Sequence, residues 1–214
     1  MPMCEFPKDA YILYINYFGL FENNCKILSE KYKNLITDNT QAFYAKHYGI
    51  ASFNSLHKFF PVQNGAYLRI EKEPVLNFEK DNLKLNTAYM QENYEQFKQN
   101  ELTLNNEPIK LISSEVEAQM RKIDFEQDKN VRLELFDKYS KAFNKYNLIK
   151  LPTLNDNIPY CYPLCTDNEE ILQKLDGMTI LRLWDEIPQS FPENEILHNV
   201  ASLPLNKFIY KLLM

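Results

Sequence analysis

Between Leu35 and Ile70 the chain sets a carboxylate, an amine and several hydroxyls at spacings that suit one kind of chemistry. Asp38 ends the apolar run Leu35-Ile36-Thr37, and Gln41 follows three residues later. Lys58 closes the stretch Ser52-Phe53-Asn54-Ser55-Leu56-His57-Lys58, just ahead of Asn64-Gly65-Ala66-Tyr67-Leu68. A lysine amine can hold a carbonyl cofactor, a carboxylate can pair with a protonated ring nitrogen, and serine hydroxyls can bind a phosphate. Those are the three needs of pyridoxal phosphate. Each residue also has a plainer role: Asp38 as a turn residue after a strand, Lys58 as a surface lysine. Ser55-Leu56-His57-Lys58 fits S-x-x-K as well, but the S-D-N and K-T-G partners of that serine chemistry are absent from the sequence.

These residues need strands to position them. Tyr11 to Ile15 is a continuous apolar run that reads as a buried strand ending in the turn Asn16-Tyr17-Phe18-Gly19. Residues 22–33 suit a short helix and 34–37 a second buried strand, which makes a βαβ unit and predicts a parallel sheet. Ligands gather at the carboxyl ends of such strands, and Asp38 falls at that edge. Residues 50–53 and 66–70 are further strands, with Lys58 on their connection. Residues 81–100 and 114–145 are helical by pattern, with the Lys/Glu pairs of the second forming a solvated face. After Asn147, strand-like pieces (159–165, 179–183) alternate with helix-like ones (168–175, 193–202). The expected fold class is α/β. Its divisions are a partly parallel sheet with helices over 1–110 and a small α+β domain over 111–214.

Bulk properties exclude several classes. A net charge of −5 gives no general pull toward nucleic acid or an anionic membrane. No apolar run approaches the roughly 20 residues a membrane span requires, and MPMCEFPKDA lacks the features of a secretory leader. A cytoplasmic protein with reduced thiols is expected. Cys161 and Cys165 form a lone C-x3-C pair and the chain has only 3 histidines, so no metal site is expected. With 4 glycines in 214 residues, a glycine-built phosphate loop is excluded.

The ordered series YINYFG (14–19), ITDNTQAF (36–43), SFNSLHKFF (52–60), NGAYL (64–68), NYEQFKQNE (93–101), ISSEVEAQMRKIDFE (112–126), PYCYPLC (159–165), GMTILRLW (177–184) and ASLPL (201–205) resembles the fold-type I pyridoxal phosphate enzymes. It is most similar to the DegT/StrS-like sugar aminotransferases. The resemblance implies an incomplete fold-type I large domain, ending near residue 110, and a small C-terminal domain. Asp38 would hold the pyridine nitrogen and Gln41 would contact the ring hydroxyl. Lys58 would be the catalytic lysine, and Ser52 or Ser55 would contact the phosphate. Asn16 and Tyr17 would line the pocket. The implied activity is pyridoxal phosphate-dependent transamination of a keto-sugar nucleotide with an amino donor. Because the family's phosphate turn, stacking aromatic and first strands have no counterpart here, the expectation is an N-terminally truncated form of weak or no independent activity. It would work as a homodimer or with a complementing N-terminal chain. The alternatives are a silent remnant or partner subunit of a split aminotransferase, and an unrelated α/β binding protein.

Overall fold

The structure, a computed structural model, describes residues 5–72, 77–81, 102, 108–176, 180–183, 187–192, 194, 200–205 and 211. The first apolar run forms β1 (Ile12–Ile15), followed by α1 (Glu22–Lys31) and β2 (Leu35–Asn39), and the two strands pair in parallel. That is the βαβ unit the sequence predicts. β3 (Ala51–Asn54) adds in parallel and β4 (Leu68–Ile70) antiparallel, in the order β1-β2-β3-β4. α1 packs Leu28 and Tyr32 on Leu35, with Ile12 and Tyr14 beside them, so one face of the sheet is covered near β1 and β2.

Residues 114–145 split into α2 (Ser114–Met120) and α3 (Phe125–Phe143), where the pattern alone suggests one helical region. Side-chain caps explain the break. Ser113 Oγ accepts the Val116 N–H, and Asp124 Oδ1 accepts the Gln127 N–H, so a new helix begins at Phe125. α3 carries the solvated ion pairs Glu126–Lys129 and Asp137–Lys141 on its outer face. Next come β5 (Cys161–Leu164), α4 (Glu169–Asp176), β6 (Arg182–Leu183) and β7 (Val200–Pro204), with an antiparallel sheet ordered β5-β7-β6.

Here one sequence expectation fails. Residues 193–202 read as helix-like, yet Val200, Ala201 and Ser202 are strand residues. β7 is the central strand, paired on both edges and buried, and a short apolar run does not reveal whether it is helix or strand. The helical pattern of 81–100 lies outside the described residues apart from Asp81.

Two main apolar clusters carry the packing. Phe18 and Leu20 join Leu135, Phe136, Tyr139, Phe143, Tyr162 and Leu203 in the larger one. Leu56, Phe59, Phe60 and Val62 join Val116 and Met120 in the other. Both unite residues from before and after position 110. Among the described residues no helix is long and apolar enough to cross a membrane.

Candidate functional site

Burial along β2 alternates. Leu35, Thr37 and Asn39 are buried, whereas Ile36 and Asp38 are half-exposed. Register carries that alternation across the sheet, because side chains of paired residues share a face. Thr37 pairs with Ser52 and Asn39 with Asn54 on the covered face; Asp38 lies between Ile15 and Phe53 on the other. Asp38 therefore stands at the carboxyl edge of a parallel sheet, as the strand pattern predicts. Its Oδ1 accepts the Thr40 N–H at 2.8 Å, closing the turn that leaves β2. Oδ2 has no hydrogen-bond partner among the described residues.

Gln41 has a role the sequence did not reveal. Its Oε1 accepts the Phe18 N–H at 3.1 Å, while the Phe18 carbonyl accepts the Tyr160 N–H at 2.8 Å. Phe18 is buried and sits in the left-handed region at φ 60°, a conformation costing about 1–2 kcal/mol outside glycine. Those two bonds and its packing hold it there. Asn16 is fully buried and joins the same seam: its Nδ2 donates to Asn39 Oδ1 and its Oδ1 accepts the Phe21 N–H. Asn16 thus ties strand ends together and is not open to a ligand. Tyr17 lies in the following turn with its ring against Phe18.

Lys58 lies in a tight turn just beyond β3, one strand over from Asp38. Leu56, fully buried, anchors the turn: its carbonyl accepts the N–H groups of Phe59 and Phe60, each at 3.0 Å. Lys58 is half-exposed and its amine has no partner among the described residues. Ser52 and Ser55 are both buried, and each faces a histidine ring. Ser52 Oγ is 2.8 Å from His47 Nδ1, and Ser55 Oγ is 3.2 Å from His57 Nδ1. Asp38 thus stands at the end of β2 and Lys58 in the turn after β3, the neighbouring strand, whereas Ser52 turns to the opposite face of the sheet from Asp38.

The Lys58 turn is buckled to α3 by Arg132, which the sequence does not distinguish from its solvated neighbours. This buried guanidinium donates through Nη2 to the Phe59 carbonyl, through Nη1 to the Tyr160 carbonyl and through Nε to Asp128 Oδ2. It also lies 4.6 Å from the Phe59 ring centroid. Tyr44 donates its hydroxyl to the same Asp128 oxygen at 2.7 Å. Phe43, Phe59, Phe60 and Phe125 pack around this network in tilted, edge-on and stacked contacts.

Among the described residues no group of His, Cys, Asp and Glu could hold a metal ion. Among the described residues, Cys25, Cys161 and Cys165 are buried thiols outside any disulfide. Burial pushes Cys161 up to about 12 against the weaker opposing pull of the Ser202 hydroxyl and Arg132. Burial, reinforced by the Glu22 charge, pushes Cys25 up to about 12 as well. Tyr44 is raised by burial and by Asp128, and Tyr160 and Tyr162 mainly by burial. All are acids that ionise more readily once unfolded. Their contribution to stability is therefore full below pH 9 and lost as pH rises from about 9 through 12. Urea midpoints followed by circular dichroism are expected to be level near neutrality and to fall steeply over that range. Midpoints unchanged at pH 11 would contradict it.

No family model matches the sequence, and no curated protein matches it. Among solved structures, the fold is similar to that of a DegT/DnrJ/EryC1/StrS aminotransferase from Brucella abortus. The TM-score is 0.54 at 14% identity, covering 94% of this chain and 63% of that one. The chain thus spans less than two thirds of that neighbour's length. The likeness is one of fold: mixed α/β, with a partly parallel sheet and helices.

Proposed function

We propose that the chain is a pyridoxal phosphate-dependent aminotransferase-like protein acting on a nucleotide-linked keto-sugar, with Lys58 as its catalytic residue. The observation that carries this is an uncommitted amine in the turn after β3 and a half-committed carboxylate at the end of the adjacent strand β2. The two occur in a fold shared with an aminotransferase. The donor set fits the cofactor in part. Asp38, steadied by the Thr40 N–H, would hold the ring nitrogen with its second oxygen, and Gln41 would hold the ring hydroxyl with its amide N–H groups. Lys58 would be the residue to hold the cofactor and would carry a proton to or from the substrate carbon that bears the nitrogen. Bound pyridoxal phosphate would supply a conjugated ring that takes up the electron pair released there.

The phosphate is where the fit is poor. Ser52 faces away from Asp38 and is engaged by His47, which leaves Ser55 as the remaining serine. Each charge-assisted hydrogen bond that the phosphate lacks, at roughly 1.5–3 kcal/mol, weakens binding about tenfold or more. An enzyme weak on its own, whose phosphate contacts come from another polypeptide, is the reading that accommodates this. A second reading, a catalytically silent partner subunit, is favoured by the oxygen of Gln41 and the hydroxyl of Ser52 being committed within the fold.

Incubation with pyridoxal phosphate followed by borohydride reduction and peptide mapping tests the assignment. Label on Lys58, abolished in Lys58→Ala and weakened at least tenfold in Asp38→Ala, is expected. Equal labelling of many lysines, unaltered by Asp38→Ala, would remove the cofactor from the account.

A further inference from the structure

Buried polar side chains gather on one face of the sheet. Thr37 pairs with Ser52 and Asn39 with Asn54, and all four are buried where parallel strands normally carry apolar groups. Arg69 of β4 pairs with Ser52 and joins them. Asn39, Ser52, Asn54 and Arg69 line a hollow of about 10 Å³, room for a single water-sized group, with Phe43 and Tyr67 beside it. Asn39, Ser52 and Asn54 are only 5%, 4% and 9% exposed. Their hydrogen bonds leave a one-sided set of groups. Asn39 Oδ1 accepts from Asn16 Nδ2, Asn54 Oδ1 accepts the Tyr67 N–H, and Ser52 Oγ is taken up by the His47 ring. The Nδ2 groups of Asn39 and Asn54 have no partner among the described residues, and neither has the exposed Arg69 guanidinium.

Buried polar groups are nearly always paired, so two idle amides lining one hollow call for an acceptor from outside. Water suits them less well, because the amide oxygens that could receive its hydrogens are already engaged. Charge narrows the choice. Arg69 brings one positive charge, and no acidic side chain lines the hollow among the described residues. Its planar fork matches a carboxylate. A phosphate monoester, with a charge of about −1.5 to −2 and three free oxygens, overfills so small a hollow and outweighs a single cation. Phe43 and Tyr67, with ring centroids 6.2 Å apart, supply an apolar wall. We infer that this hollow is a binding site for a small apolar monocarboxylate. One carboxylate oxygen enters between the Asn39 and Asn54 amides, the other meets Arg69, and the body of the ligand lies on Phe43 and Tyr67. The site is on the opposite face of the sheet from Asp38, so it is independent of the cofactor reading.

The test titrates the ¹⁵N-labelled full chain with benzoate and, separately, with its neutral isostere benzamide, following the side-chain amide resonances of Asn39 and Asn54 by NMR. Benzoate is expected to shift both amides saturably while that of Asn147, bonded within the fold, stays in place. Benzamide should bind at least about tenfold more weakly, since it brings no charge to Arg69. Arg69→Gln, at an exposed position, should melt like the parent and lose at least about tenfold in benzoate affinity. Asn54→Asp keeps the oxygen that accepts the Tyr67 N–H but replaces the idle donor with a second acceptor, and should abolish binding. Unshifted Asn39 and Asn54 amides, equal affinity for benzoate and benzamide, or full affinity in Arg69→Gln each overturns the inference. So does inorganic phosphate binding more tightly than benzoate, or pyridoxal phosphate displacing benzoate from these amides, since the hollow would then serve a phosphate. Mapping of label on Lys58 does not read these amides, so this proposal and the cofactor assignment fail separately.

Discussion

Gly49→Ala is expected to cost about 3–5 kcal/mol, enough to leave a protein of ordinary stability largely unfolded. Gly49 sits at φ +77°, where an L side chain is already strained by about 1–2 kcal/mol. The added methyl would fall 2.2 Å from the Leu35 carbonyl oxygen, deep within van der Waals contact. That oxygen cannot retreat. It accepts the Ile50 N–H at 2.8 Å, and Leu35 is fully buried at the start of β2 beneath α1. Relief therefore requires the β2–β3 register to move. Gly65→Ala is the matched control: its φ is +105°, but the atoms nearest its new methyl belong to the side chains of Leu56, Ile112 and Val116, at 3.0 Å or more. Those can shift, so the loss should stay near 1–2 kcal/mol. Urea titration of both variants checks the difference. Equal losses would show that φ strain, not the carbonyl clash, governs position 49.

That contrast explains what could be read before any coordinates. β1, α1 and β2 were legible because an apolar run, a helical segment and a second apolar run follow each other at βαβ spacing, and parallel pairing is a consequence of that spacing. Asp38 at the carboxyl edge came with it. Register did not, because a pairing fixes which residues share a face only once the strands are aligned. Hence Ser52 passed as a neighbour of Asp38 in the site, whereas its pairing with Thr37 turns it to the other face. The α2/α3 break was signalled by Asp124 and Gln127, a capping pair hidden inside a long amphipathic pattern. Val200–Ser202 became strand through pairing with β5 and β6, tens of residues away or nearly so, which no local window contains. Asp128–Arg132 has the same four-residue spacing as Asp137–Lys141, yet one lies inside the molecule and the other in solvent. Spacing cannot tell them apart.

That buried pair carries the second large effect. Arg132→Met is expected to destabilise by about 3–5 kcal/mol, the range for removing one partner of a buried ion pair. The substitution keeps most of the packing volume against Phe59 but strands three acceptors at once: the carbonyls of Phe59 and Tyr160 and the Asp128 carboxylate. Asp128 keeps some exposure and the Tyr44 hydroxyl, which places the loss toward the lower end. Arg132→Lys should recover little, because a single ammonium cannot span a carboxylate and two divergent carbonyls as the planar fork does. Adding Asp128→Asn to Arg132→Met removes the orphaned charge and should return at least about 1 kcal/mol, a coupling that a double-mutant cycle reads directly. Hydrogen exchange locates the damage. Phe59 and Phe60 donate to Leu56 within the turn that Arg132 clasps, so their amides should exchange faster in Arg132→Met than those of β7. If protection falls evenly over the chain instead, Arg132 stabilises the fold without holding the Lys58 turn in particular, and its tie to the candidate site is lost.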